Sequence, residues 1–239
     1  MILGKVLLTG TGSGLGKSIH NCLGNVITYP MTRSNRASTI ASAKADKIDT
    51  IIHAAFGSQG GYEQFNIEDY FKYVDDNILL TKELLDIPHK RFIYISSLVV
   101  YETNINNYKT TKLYCEAMVN KLGNNPLILR CPAILNQNMR KNNLIKIIED
   151  DYPKISLTPN STFNYITDKD IVKVINNNQI KGTLDFVASN NIQLNEIVDI
   201  IGKKVTYGDY TFTTPKVSLP YLNKTSKQVL VEFLKKRKK

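Results

Sequence analysis

The sequence predicts an α/β protein, a doubly wound parallel sheet with helices on both faces and a small C-terminal lobe. Three observations carry this. Short apolar runs alternate with helix-period stretches from residue 5 to residue 130. Those runs are apolar almost throughout rather than at every second residue, as strands buried on both faces are. The first of them stops in Gly10, Gly12, Gly14 and Gly16, directly before a helical pattern.

The elements follow in order. Residues 5–9 (KVLLT) read as the first strand, 14–23 as the first helix, and a second strand lies around 26–29. A polar, Ala-rich stretch at 37–47 leads into the strand 49–55 (DTIIHAA). Helical spacing returns over 67–85, where Asn77, Leu80, Leu84 and Leu85 recur. A strand at 91–97 (RFIYISS), a helix at 108–122 and a strand at 126–130 (PLILR) continue the alternation. After Pro132 the pattern loosens into a helix at 144–149, a helix at 166–176, a late strand at 182–187 and a short helix at 193–201. No repeat or long linker separates two independent domains. The expected division is a core of residues 1–135 with return elements around 164–190, and a lobe made of 136–163 and 191–239.

With 239 residues, 42% hydrophobic and 22% charged, the chain can bury a sizeable core and is neither disordered nor fibrous. It carries no apolar run of about 18 residues, and its start is too soon interrupted for a signal peptide, so a cytoplasmic location is expected. Cys22, Cys115 and Cys131 are scattered and fit neither a disulfide framework nor a Cys-x-x-Cys metal site; no metal is expected. Of the formal charge of +10, five units sit on Lys235, Lys236, Arg237, Lys238 and Lys239. They follow Val229, Leu230, Phe233 and Leu234, spaced as a closing helix whose C-terminus favours positive charge. That reading is preferred to a nucleic-acid or membrane arm. The remaining excess suits phosphorylated small molecules.

Between the first strand and helix stands Thr9-Gly10-Thr11-Gly12-Ser13-Gly14-Leu15-Gly16-Lys17. Such a loop turns tightly, lets a phosphate approach the backbone and presents N–H groups at a helix N-terminus. A triphosphatase loop fails on spacing, because its first glycine would fall on Thr11. Thr9-Gly10-x-x-x-Gly14-x-Gly16 instead resembles the cofactor loop of the short-chain dehydrogenase/reductase superfamily, a Rossmann-type family that uses nicotinamide dinucleotides.

Tyr108-Lys-Thr-Thr-Lys112 strengthens the resemblance. Positions four apart share a helix face, so an ammonium beside a phenol favours its ionised form below the ordinary value of about 10. A tyrosine so tuned exchanges a proton while hydride moves. Ser96-Ser97 closes the preceding strand. Ser97, Tyr108 and Lys112 match the family's catalytic residues, and Asn77 matches the asparagine that helps hold a proton-relay water, or else caps a local kink. Residues 49–55, 91–101, 130–134 and 164–170 also resemble ordered segments of the extended, nucleotide-sugar-modifying branch. His53 reads as a core residue, and His20 and His89 join no constellation.

The resemblance implies cofactor contacts at Gly10, Ser13, Gly14, Leu15, Gly16, Ala54, Ala55, Tyr108, Lys112, Pro132 and Ile134, and substrate contacts at Ser97, Asn136 and Arg140. It also implies pairing of the Tyr108 and Asn77 helices in a homodimer. Members of the branch usually run to 300 residues or more, so a reduced substrate lobe is expected. Dehydratases of the branch carry Asp-Glu where this chain has Leu98 and Val99, so water elimination is not expected. Glu102 replaces a usual glycine, and the aspartate that meets the adenine is not evident.

About 20 residues past the loop, dinucleotide folds present an acid for a ribose hydroxyl or an arginine for a 2'-phosphate. This chain has Thr32-Arg33-Ser34-Asn35-Arg36 with no acid nearby, which favours NADP(H) through Arg33, with NAD(H) the alternative. The expected activity is therefore an NADPH-dependent keto-reductase acting on a nucleotide-linked keto-deoxy sugar. The alternatives are an NAD-dependent nucleotide-sugar epimerase and, in another class, a non-catalytic NADP(H) sensor or scaffold.

Overall fold

A computed structural model describes residues 3–57 and 67–237. The chain forms two compact units, Met1–Arg130 with Lys169–Leu184, and Cys131–Asp168 with Asp185–Lys239.

The first unit is built on a six-stranded sheet of β1 (Val6–Thr9), β2 (Thr28–Met31), β3 (Thr50–His53), β4 (Arg91–Ser97), β5 (Leu127–Cys131) and β9 (Gly182–Asp185). Their order is β2-β1-β3-β4-β5-β9. β1 runs parallel to both β2 and β3, and β3 parallel to β4. Parallel neighbours need crossovers, and helices supply them: α1 (Gly14–Cys22), α2 (Arg36–Ala45), α3 (Ile67–Val74), α4 (Leu80–Leu85), α5 (Asn107–Leu122) and α7 (Asp168–Ile175). Every residue of β1 and β3 is buried, so helices cover both faces. On one face Leu7, Ile51, Phe92 and Ile128 of the strands pack with Ala43, Leu84 and Val119 of the helices. Burying each large aliphatic or aromatic side chain stabilises by roughly 1.5–3 kcal/mol. The sheet is of the Rossmann type, and the chain reverses direction across it between β1 and β3. A crevice opens at such a switch point beyond the carboxyl ends of the strands.

The Ala-rich stretch at 37–47, given no element by the sequence, forms most of the helix α2, and three further elements differ from the sequence expectation. The second strand lies two residues later, at Thr28–Met31, and includes Pro30. An edge strand tolerates a residue without an N–H, and β2 is the edge. The helix expected over 67–85 is interrupted by a π segment, Asp75–Leu79. Asn77 Nδ2 donates to the carbonyl of Tyr73 at 2.8 Å, taking the acceptor that an α-helical N–H four residues on would use. The helix expected at 166–176 begins later. Residues Tyr165–Thr167 form β8, whose aromatic and β-branched side chains suit a strand, and α7 starts at Asp168.

Arg91 lies almost fully buried at the start of β4, where desolvation lowers its pKa. Its guanidinium donates to the carbonyls of Ile175, Asn177 and Ile180 at 2.9, 3.0 and 2.8 Å, tying down the turn that follows α7.

The second unit pairs β6 (Ala133–Leu135) in parallel with β8, and β7 (Thr162–Phe163) antiparallel with β10 (Ile192–Gln193). Its core joins Leu144 and Ile147 of α6 (Asn143–Glu149), Ile197 and Val198 of α8 (Leu194–Ile201), and Val229, Leu230 and Phe233 of α9 (Ser226–Arg237). Arg237, in the basic last turn of α9, pairs with Glu149. No helix among the described residues is long and apolar enough to cross a membrane.

Candidate functional site

The glycine loop leaves β1 at the switch point. Gly10 and Thr11 donate their N–H groups to the carbonyl of Met31 at 2.9 and 3.2 Å, fastening the loop to the end of β2. Gly10 adopts φ +77°, and a Cβ there would stand 3.1 Å from Ala55 Cα. At Gly16 an added Cβ would lie 2.3 Å from the Gly10 carbonyl oxygen, so α1 can start this close to the strand only without a side chain. Gly14, at φ +54°, faces open space. Ser13 precedes α1, and the first-turn N–H groups of Gly14, Leu15 and Gly16 gather there. Tight turn, close packing and an open helix N-terminus are what a dinucleotide pyrophosphate requires, and these residues fit it.

Beneath the loop runs a buried polar chain. Thr9 Oγ1 accepts from the N–H groups of Ala54 and Ala55 at 3.1 and 2.9 Å and meets His53 Nδ1 at 2.9 Å. His53 Nε2 meets Thr81 Oγ1 at 3.0 Å, and Thr81 donates to the carbonyl of Asn77 at 2.6 Å. Burial, with a smaller effect of the Lys112 charge, lowers the His53 pKa to about 3, so the ring is neutral. Since Thr81 gives its proton to Asn77, His53 carries its own on Nε2 and accepts at Nδ1. His53 is thus a core residue that links β1 to the π segment. Ala54 and Ala55 lie at the switch point with their N–H groups bound to Thr9.

On α5, Tyr108 and Lys112 share a face. Asn106 caps this helix, accepting from the Lys109 N–H at 2.8 Å. Lys112 is only 4% exposed. Its Nζ donates to the carbonyl of Ile95 at 2.9 Å and stands 4.7 Å from the ring centroids of both Phe56 and Tyr94, and 5.9 Å from that of Tyr108. Phe56 meets Tyr108 edge to face at 4.7 Å. Ser97, at the end of β4, caps the 3-10 turn Leu98–Tyr101 by accepting from the Val99 N–H at 3.3 Å. Leu98 and Val99 are buried.

Asn77 is buried in the π segment. Its side chain accepts from the Gly57 N–H at 2.9 Å and donates to the Gly57 carbonyl at 3.1 Å, while its own carbonyl takes the Thr81 hydroxyl. It clamps Gly57, beyond the end of β3, to the π segment.

Glu116, one turn beyond Lys112, is buried and accepts from Ser96 Oγ at 2.5 Å and from Arg130 Nη2 at 2.7 Å. Arg130 also donates to the Tyr101 hydroxyl at 2.6 Å. Hydrogen bonding to Glu116 raises the Arg130 pKa well above its ordinary value, against the cost of desolvation.

The expectation that no acid lies near Arg33 is corrected. Asp76, from the π segment, receives Arg33 Nε at 3.0 Å and Nη2 at 2.5 Å, and Arg36 bonds Asp75 and Glu83. A search along the chain misses this acid because it arrives from a helix 43 residues further on.

Pro132, Ile134, Asn136 and Arg140 belong to the second unit. Ile134 lines a cavity of about 250 Å³ with Met139, Leu144, Phe163 and Leu194. Asn136 is buried, and its side chain accepts from the Asn138 N–H at 2.8 Å, closing a turn, while Arg140 is exposed. Sequence reasoning missed Phe56 and Asp76. Phe56 directly follows the recognised Ala54-Ala55, which was the signal available for it; Asp76 had none.

No protein-family model matches the chain, and no curated protein matches it in sequence. Solved structures match along nearly all of it. A dTDP-4-dehydrorhamnose reductase from Clostridium acetobutylicum superposes with TM-score 0.77 at 18% identity, covering 98% of this chain and 100% of that one. The UDP-glucose 4-epimerase of Thermotoga maritima, solved with UDP-glucose, gives 0.74 at 13% over 98% and 100%. A UDP-glucuronic acid 4-epimerase from Bacillus cereus, solved with NAD, gives 0.67 at 17% over 98% and 99%. The glycine loop and sheet order define a Rossmann-type α/β protein. Its fold is the one that these epimerases and the reductase share, as the resemblance to the short-chain dehydrogenase/reductase superfamily implies.

Proposed function

We propose that the protein is an NAD(P)-dependent oxidoreductase of this superfamily, a keto-reductase acting on a nucleotide-linked keto-deoxy sugar with NADPH. The observation that carries the reading is the pairing of Tyr108 and Lys112 on α5, with the Lys112 ammonium 5.9 Å from the Tyr108 ring. The bound cofactor supplies the hydride. Tyr108 gives its phenolic proton to the carbonyl oxygen of the substrate, and the neighbouring ammonium stabilises the phenolate that results. Ser97 donates a hydrogen bond to the same oxygen, and Lys112 holds the cofactor ribose. Gly10, Gly14 and Gly16 with the α1 N-terminus receive the pyrophosphate, and Arg33 the 2'-phosphate. The pairing of the Asn77 and Tyr108 helices in a dimer, and substrate contacts at Asn136 and Arg140 in the second unit, belong to the same proposal. Buried Leu98 and Val99 supply no acid or base, which speaks against dehydration.

A second reading is supported by Asp76, which stands where an acid could take a ribose hydroxyl, and by the epimerases among the structural neighbours. On that reading the protein is a nucleotide-sugar epimerase with NAD. An assay of NADPH oxidation against nucleotide-linked 4-keto sugars separates the two. Stoichiometric oxidation supports the reductase, interconversion of sugars without net cofactor consumption supports the epimerase, and cofactor binding without either supports a sensor.

A further inference from the structure

Lys112 is enclosed on two sides by aromatic rings that differ in how they are held. Tyr94 belongs to β4, is buried in the sheet core and tilts against His53 at 5.4 Å. Phe56 lies beyond the end of β3, is partly exposed, and rests edge to face on Tyr108 at 4.7 Å and on Tyr73 at 5.9 Å. Both rings stand 4.7 Å from Nζ, and one N–H of the ammonium goes to the Ile95 carbonyl. A hydroxyl that approaches the ammonium on either of these two sides must displace a ring. Tyr94 cannot yield without opening the core. Phe56 can.

We propose that Phe56 is the residue that admits the cofactor's nicotinamide ribose to Lys112, its ring turning aside as a ribose hydroxyl takes its place against the ammonium. The inference rests on the dinucleotide reading of the site and deepens it. The exchange is balanced, since a cation-ring contact is given up for a hydrogen bond to a charged donor. Asn77 confines the motion to the side chain by holding both the N–H and the carbonyl of Gly57, the next residue. Phe56 also keeps solvent from Lys112, which is 4% exposed with the ring in place.

The consequence falls on one half of the cofactor. The adenosine half meets the glycine loop and the end of β2, whereas the nicotinamide half must displace the ring. Calorimetric titration of wild type, Phe56→Ala and Phe56→Leu with NADPH and NADH, and with 2',5'-ADP and ADP as probes lacking the nicotinamide ribose, tests this. Phe56→Ala tightens the whole dinucleotide by about five- to tenfold, from the loss of one desolvated cation-ring contact, and leaves the ADP probes within about twofold. Phe56→Leu keeps the apolar bulk without the ring face and gives a smaller gain in the same direction; it decides the matter if the alanine variant fails to fold. Unchanged or weaker dinucleotide binding in the folded variants overturns the role of Phe56, as does an equal gain for the ADP probes. Wild-type protein that binds neither dinucleotides nor ADP probes overturns the dinucleotide reading itself, and the inference with it.

Discussion

Arg33 reaches across from the end of β2 to Asp76, giving Nε and Nη2 to the two oxygens of one carboxylate. The arginine side chain is 61% exposed and the aspartate 13%. Solvent screens such a pair, so its loss changes stability by at most about 1 kcal/mol. On the proposed reading, in which Arg33 receives a 2'-phosphate, its effect on cofactor choice is larger. Arg33→Ala weakens NADPH binding about tenfold and NADH binding less than twofold, the loss of one charged hydrogen-bonded contact to a 2'-phosphate. Asp76→Asn removes a negative charge from beside that phosphate and raises the NADPH preference roughly threefold. Dissociation constants for both cofactors check the pair, and an unchanged NADPH to NADH ratio in both variants refutes it.

Tyr108→Phe lowers kcat by at least about a hundredfold, the usual scale for losing a positioned proton donor, and leaves cofactor affinity within about twofold. Steady-state kinetics beside a binding titration distinguish this from a general loss of the site. A variant that turns over at the wild-type rate removes Tyr108 from the chemistry.

His53 makes stability depend on pH. Its folded pKa of about 3 lies below the unfolded value of 6.5, so between those values the unfolded chain binds the extra proton. The contribution is complete above pH 6.5 and is lost as pH falls towards 3, with a slope of up to about 1.4 kcal/mol per pH unit. His89, also lowered by burial, acts in the same direction and stays in place in a His53 variant. Urea unfolding of wild type and His53→Gln at pH 7 and pH 5 measures the difference. The wild type loses about 1–2 kcal/mol more than the variant. Equal losses contradict a neutral, buried His53.

Glu116→Ala costs about 3 kcal/mol or more, because it strands the Arg130 guanidinium and the Ser96 hydroxyl together. In a double-mutant cycle, Glu116→Ala with Arg130→Met loses less than the sum of the single changes, since the second substitution removes the stranded charge. Additive losses would show that the two side chains do not act as a pair.

The glycine loop offers a contrast between crowding and conformation. Gly14→Ala is strained only by its left-handed backbone and costs about 1–2 kcal/mol. Gly16→Ala drives a methyl to 2.3 Å from the Gly10 carbonyl and shifts the start of α1 itself. Thermal unfolding and nucleotide binding therefore separate them, with Gly16→Ala the more damaging to both.

The sheet was legible in the chain because its strands are buried on both faces, which leaves near-continuous apolar runs such as VLLT and TIIH. The loop, the Ser97 strand end and the Tyr108–Lys112 spacing were legible for a related reason. Each is a local pattern whose geometry follows from the helix or strand that carries it. The π segment was not, because it arises when the Asn77 side chain competes with the backbone for one carbonyl. Ile166 and Thr167 fall in a strand and not in the helix expected at 166–176, because a strand of three residues shows too little periodicity, and pairing with β6 decides it.

The sequence by itself determined the alternating elements, the glycine-rich turn and the helix face that carries Tyr108 and Lys112, all of which depend on neighbours within a turn or a strand. Only the tertiary structure decided what surrounds them. It brought Asp76 to Arg33 and stood Phe56 against Lys112. It also joined Thr9 through His53 and Thr81 to Asn77. Those contacts span tens of residues, and their positions are set by how helices pack on the sheet, which no local spacing encodes.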